Sequence, residues 1–324
     1  MLLTNARLID QWSRPSAIEL CSLRIDNGLI IEVGADLVAQ PGEQVFDCGQ
    51  AIVAPGFVCG HTHLYSVLAR GMPPTDPIPP SNFREVLEKV WWKLDRSLDE
   101  ASVRASVRIG LFEALACGTT GLIDHHASPG FIDGSLDLLA ESFEELGVRG
   151  LLCYETSDRD GTTIRDAGIA ENDRFLGRNG SSNWTAGVCG GHASFTLDDA
   201  SLDACARVAA DHNTGLHIHV AEGETDRRET RERYDAELLD RYAARGLINE
   251  RSIFAHCVDL NEHEIARLAD GGVRIAHNPS SNMNNRVGLN PVWNSDATVM
   301  LGTDGIGSDM YRESKAAWFR GVEA

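Results

Sequence analysis

The sequence predicts an α/β protein: a closed (β/α)8 barrel of the TIM type preceded by a small amino-terminal β-domain. Two observations predict the barrel. Eight short apolar segments alternate with longer stretches of helical periodicity, the pattern of parallel β/α units. From Ile52 to Asp304 these units occupy 253 residues, against about 250 for a typical barrel. A third observation sets the first fifty residues apart, because they read as short strands joined by turns. The predicted division is 1–51, part of a β-sandwich, and 52–324, the barrel, ending in the helix after its eighth strand.

Taken in order, LLTNARLID (2–10), AIELCSLRI (17–25) and LIIEVG (29–34) are the first strand candidates. The last two form a hairpin, since Asn27-Gly28 between them suits the positive backbone angles of a tight turn. The barrel strands are then read as IVAPGFVCGHTH (52–63), TTGLIDHH (119–126), GVRGLLCYE (147–155) and TAGVCGGH (185–192). TGLHIHVAE (214–222), SIFAHC (252–257), GVRIAHN (272–278) and ATVMLGTDG (297–305) complete the set. Helical periodicity fills the intervals, as in DEASVRASVRIGLFEALACG (99–118) and GSLDLLAESFEELG (134–147). The long proline-rich segment from Gly71 to Trp92 suits a cover over the barrel mouth. RRETRERYD (227–235) is read as a solvated helix face.

Composition narrows the partners. Lysine and arginine total 29 against 48 acidic residues, a net charge of −19. Such a surface repels phosphate backbones and anionic membranes, so neither nucleic acid nor a membrane is expected as partner. No apolar run reaches bilayer-spanning length, and MLLTNARLID does not read as a secretion signal. The eight cysteines include no C-x-x-C pair and fall mostly in apolar segments. Reduced packing thiols and a cytoplasmic location are the expectation. The expected partners are a small heterocyclic substrate and a second copy of the chain, as a homodimer.

In a barrel of this kind the chemistry sits at the carboxyl ends of the strands. His61 and His63, two residues apart at the end of the first strand, share a face and can converge on one cation. His219 ends strand five, with His217 one layer deeper and structural. Glu222 follows three residues on, where the chain can turn a carboxylate over the site. His256 ends strand six. Asp304 follows an apolar run, where a carboxylate is costly unless paired or coordinating. Three histidines and one aspartate, with room for water, make a catalytic rather than a structural metal set. The chain has three lysines, Lys89, Lys93 and Lys315, all in helical stretches, so no bridging carbamylated lysine is expected and a single metal is. Asp124 and His126 share a face at the end of strand two and can contact a substrate ring, with His125 structural.

PGFVCGHTH, HIHVAE, FAHC, HNPSSNM and LGTDG, in that order, resemble the amidohydrolase superfamily in its cyclic-amidine deaminase and chlorohydrolase branch. RGMPP, WWKLDRSLDE and DHHASP most resemble its SsnA-type aminohydrolases. The resemblance implies a metal, zinc or iron with zinc preferred, held by His61, His63, His219 and Asp304. It implies acid/base and polarising roles for Glu222 and His256, and a place for His192 in the substrate pocket. Asp304 would take the proton of the attacking water. Trp92 is a candidate for stacking on a planar substrate, and His277 is read as structural. The expected activity is hydrolysis of a C–N bond in a cyclic amidine or amino-heterocycle, with release of ammonia. Removal of halide, opening of a cyclic amide, and a catalytically inactive metal-binding barrel are the alternatives. Relatives in this family continue past strand eight, so the resemblance reads the sequence as a fragment whose carboxyl-terminal part is missing.

Overall fold

The computed structural model describes residues 1–9, 20–74, 76–178, 182–293 and 295–323. Two compact units divide the chain, Met1–Gly56 and Phe57–Ala324.

The first unit is one five-stranded sheet: β1 (Leu2–Leu8), β2 (Leu20–Asp26), β3 (Leu29–Gly34), β4 (Val45–Asp47) and β5 (Ile52–Val53). β2 and β3 form the expected hairpin, with Asn27 and Gly28 at φ 48° and 78°. Residues 10 and 17–19 of the strands read from the sequence lie outside the described residues. Ile52–Val53 pairs in parallel with β1, so it belongs to this sheet and not to the first barrel strand. The first barrel strand starts at Phe57, past Pro55, which cannot donate to a continuing ladder. Among the described residues this unit holds one sheet, where the sequence reading expected part of a sandwich. Leu2, Ala6 and Leu23 are buried, whereas Leu29, Ile31, Phe46 and Ile52 are exposed.

The second unit is the barrel. Its strands are β6 (Phe57–Thr62), β7 (Thr119–His126), β8 (Arg149–Tyr154), β9 (Thr185–Gly187) with β10 (Cys189–Ala193), β11 (Leu216–Val220), β12 (Ile253–His256), β13 (Arg274–His277) and β14 (Thr298–Leu301). All neighbours pair in parallel, in the order β6-β7-β8-β9 and β10-β11-β12-β13-β14. β9 and β10 occupy one strand position, broken at Val188. A bridge between Thr156 and Gly191 joins the two runs there. The ring closes between Thr62 and Asp304, where the amides of Thr303 and Asp304 both donate to the His61 carbonyl at 3.0 Å. Gly302 is required at this seam, since a Cβ there would lie 2.7 Å from the same carbonyl oxygen.

Side chains alternate between barrel interior and helix layer. Ile123, Leu151, Ile253, Ala255, Ala276 and Met300 pack together inside. Leu122, Leu152, Ile218, Phe254 and Ile275 point outward into the helix-facing core. Helices start on sequence signals: Asp99 and Ser102 form a reciprocal cap for Glu100–Ala116, as Asn261 and Glu264 do for Glu262–Asp270. The proline-rich segment ends in helical turns from Phe83 to Arg96, with one π-helical turn at Leu87–Trp91.

Candidate metal and catalytic site

The strand ends bring His61, His63, His219 and Asp304 together, with donor atoms within 4.8 Å of one another. His63 Nε2 lies 3.2 Å from His219 Nε2, and Asp304 Oδ1 lies 3.0 Å from His63 Nε2 and 3.4 Å from His61 Nε2. Local bonds dictate where the ring hydrogens sit. His63 Nδ1 donates to the His125 carbonyl at 2.6 Å, and His219 Nδ1 to the His192 carbonyl at 2.9 Å. A carbonyl only accepts, so both Nδ1 atoms carry hydrogens and both Nε2 atoms face the shared space. Two nitrogens at that distance need positive charge between them, a proton or a metal ion. His61 Nε2, buried and without a hydrogen-bond partner, completes the set. Three neutral imidazoles and a carboxylate fit a divalent cation with catalytic coordination.

The field at this point is strong. Burial alone pulls the His63 imidazole down, but the Asp304 hydrogen bond and charge outweigh it and lift His63 to about 9. Burial holds His61 down at about 3 despite the same carboxylate. Asp304 is buried too, yet the neighbouring His61 and His63 rings keep it well below the usual carboxylate range.

Beside this set stand Glu222 and His256, with Oε2 and Nε2 3.5 Å apart. Burial pushes the Glu222 carboxyl up to about 7, against the opposing pull of His256. The backbone reaches these positions through left-handed geometry in non-glycine residues: Ala221, His256, Cys257 and Asp304 have φ of 49°, 72°, 51° and 54°. Each such residue costs on the order of 1 kcal/mol, and strain of this kind gathers at functional sites. At His256 the consequence is visible. Strict alternation would point it outward with Phe254, yet its ring centroid lies 5.4 Å from that of His219 and 5.7 Å from that of His61.

A short helix, Pro279–Asn285, follows β13 and serves three of these groups. Ser281 Oγ donates to Asp304 Oδ2. Asn282 Oδ1 meets His256 Nδ1 at 2.9 Å, and Asn285 Nδ2 donates to Glu222 Oε1 at 3.2 Å. Residues 281, 282 and 285 share one helix face by spacing. Sequence reading noticed HNPSSNM but attended to His277, which the structure buries against Trp293 on the outer side.

The mouth is a narrow cleft lined by His63, Trp92, Asp95, Glu155, Arg159 and His192, among others. His192 lines it, its Nδ1 2.7 Å from Thr196 Oγ1. Trp92 also lines the cleft, but the guanidinium carbons of Arg84 and Arg159 lie 5.2 and 5.4 Å from its ring centroid. Two guanidinium groups thus flank the ring. His126 is a correction: it does not reach the cleft, being fully buried with Nε2 2.8 Å from Ser128 Oγ. The phase of β7 is the reason. Ile123 faces the barrel interior, so His125 does also, while Asp124 and His126 face outward. Asp124 accepts the Leu64 amide at 2.7 Å, and burial pushes it up to about 7.

Sequence reading missed Glu155, Arg159 and Asp95. Arg159 Nη2 donates to Asp95 Oδ2 and lies 3.9 Å from Glu155 Oε1. Glu155 also meets His125 Nδ1 at 3.2 Å. Burial works to raise Glu155, but His192, His125 and Arg159 together hold it well below the usual carboxylate range. The signal for Glu155 was present: like Asp304, it is a carboxylate that ends a buried apolar strand.

All eight cysteines are free thiols, and among the described residues no helix is long and apolar enough to cross a membrane.

Comparison with known proteins agrees with this architecture. Residues 52–320 match the model of the amidohydrolase family. The chain is 29% identical over 293 residues to a 5'-deoxyadenosine deaminase of Methanobrevibacter smithii, covering 89% of this chain and 65% of that protein. It is 29% identical over 329 residues to a 5-methylthioadenosine/S-adenosylhomocysteine deaminase of Pyrococcus furiosus, covering 98% and 74%. The chain therefore spans about two thirds to three quarters of these relatives. The crystal structure of an adenosine deaminase from Xanthomonas campestris with bound zinc superposes with a TM-score of 0.84 at 21% identity, covering 99% of this chain and 74% of that one. With a closed parallel barrel, a histidine–aspartate cluster at its mouth and a family match from Ile52 to Arg320, the chain belongs to the amidohydrolase family.

Proposed function

We propose that this protein is a metal-dependent aminohydrolase that deaminates a cyclic amidine or amino-heterocycle. The observation that carries the reading is Glu222, a buried carboxyl at about 7, beside the cation-fitting set of His61, His63, His219 and Asp304. A scaffold that merely held a metal has no use for such a proton carrier. Deaminase relatives of similar sequence support the reading. Zinc is the metal we assign, one ion per chain, in keeping with the zinc of the structurally similar deaminase. A narrower likeness, to SsnA-type aminohydrolases, rests on RGMPP, WWKLDRSLDE and DHHASP.

When bound, the cation supplies Lewis acidity and brings the pKa of water from 15.7 toward about 7. Asp304, fixed by Ser281, accepts the proton of the attacking water. Glu222 gives a proton to a ring nitrogen, which makes the adjacent carbon electrophilic, and Asn285 holds its other oxygen in place. His256 steadies the nucleophile by hydrogen bonding, with its ring aimed by Asn282. Once the water oxygen has bonded to that carbon, Asp304 passes its proton to the exocyclic amine, the C–N bond breaks to release ammonia, and the hydroxyl proton returns to Glu222 as the carbonyl forms. His192 and the Glu155–Arg159–Asp95 array border the substrate.

The test is metal analysis of the purified chain with an ammonia-release screen of amino-purines and amino-triazines. Zinc near one equivalent and ammonia from at least one compound are expected. Halide release without ammonia, or a ring-opened product, would replace deamination with another hydrolysis. A metal-loaded chain inert across the panel would count against an enzyme.

A further inference from the structure

We infer that His217 is a positioning residue for the metal site, setting which nitrogen of His61 is free to bind. The inference rests on the metal reading above and concerns a histidine and a thiol that no step of the reaction uses.

The three candidate ligand histidines are anchored in two different ways. His63 and His219 give their Nδ1 hydrogens to backbone carbonyls, which cannot donate, so their tautomers are fixed by the chain itself. His61 has no such anchor. Its Nδ1 meets His217 Nε2 at 2.9 Å, and a neutral imidazole nitrogen can either donate or accept. One wrong choice would put the hydrogen of His61 on Nε2, where the ligand lone pair is needed.

The ambiguity is resolved one residue further on. His217 Nδ1 lies 3.6 Å from Cys153 Sγ, and Cys153 Sγ lies 3.6 Å from the Asp124 carbonyl oxygen. The carbonyl accepts only, so the thiol hydrogen points to it and the sulfur is left to accept from His217 Nδ1. His217 Nε2 must then accept from His61 Nδ1, leaving His61 Nε2 bare. All three side chains are fully buried, so no water competes for these hydrogens. A metal within the neighbouring His125, Cys153 and His217 group is excluded by the same accounting. His125 Nε2 already lies 3.1 Å from the carbonyl oxygens of both Gly191 and His217, and so carries a hydrogen.

Two measurements on the full chain test this. Ring-nitrogen NMR of the metal-free protein reads the His61 tautomer directly, and the hydrogen is expected on Nδ1. Zinc affinity, measured against a competing chelator, is expected to fall about 10–100-fold in His217→Phe, the usual cost of losing an outer partner of a ligand. In His217→Gln, whose amide oxygen can accept from His61 Nδ1, most of that affinity should return. A His61 hydrogen on Nε2, or His217→Phe binding zinc as the unaltered chain does, would overturn the inference. Failure of the unaltered chain to bind zinc would overturn the metal reading instead, while the tautomer measurement still decides the order of hydrogens.

Discussion

The floor and the rim of the cleft are built by opposite means. On the floor, His61, His63, His219, Glu222, His256 and Asp304 sit at strand ends, and each polar group is aimed by a specific neutral partner such as a backbone carbonyl or an asparagine. On the rim, Asp95, Arg159 and Glu155 hold one another by charge, and Trp92 lies among guanidinium groups. The floor's backbone is held by the barrel ladder. The rim draws on the long connection after β6, and its geometry depends on ion pairs across that connection. Under the proposed function, the floor would carry the chemistry and the rim the selection of substrate.

The sharpest way to break that division is at the floor's carboxylate. Asp304→Ala is expected to lose both bound zinc and activity, measured by metal analysis and ammonia release. A variant that keeps both would remove Asp304 from the site. Next in size is Glu222→Gln, expected to keep its zinc while activity falls at least about 10²-fold, the lower bound for general acid–base help. Loss of zinc in this variant would make Glu222 a ligand instead of an acid.

The same residue predicts a pH profile. Glu222 must be protonated to act as an acid, and its carboxyl lies at about 7. The rate should therefore decline above about pH 7, and that limb should vanish in Glu222→Gln. A limb that survives the substitution belongs to another group. Ser281→Ala, which frees one oxygen of Asp304, should cost about 10-fold in activity or zinc affinity, the lower end for an outer partner.

The smallest effect on chemistry is expected at the rim. Asp95→Asn should leave zinc content and kcat unchanged and act on KM. It also sharpens the contrast through stability. Burial raises Asp95 from 3.8 to about 6, against the pull of Arg159. Its contribution is fully present below its unfolded pKa and is lost as pH rises through about 6. Thermal melts should thus show the substituted chain gaining on the unaltered one between about pH 4 and 7. A gap of constant size would mean Asp95 stays ionised throughout.

Much of the floor was legible because strand-end chemistry is local. The spacing of His61 and His63, the HIHVAE run and the carboxylate after VML each follow from alternation and from the cost of burying charge. The alternation itself, β/α by β/α, was enough to give the barrel. What the chain order could not give was phase and convergence. One residue of phase at β7 decides that His125, and not His126, faces the interior, and only packing of Ile123 among its neighbours sets it. Left-handed backbone at His256 breaks the alternation that a linear reading assumes. Arg159 meets Asp95 across 64 positions of sequence, and Ser281 reaches Asp304 across 23. Such pairings arise when separate strand ends are brought round one ring, so tertiary structure alone decides them.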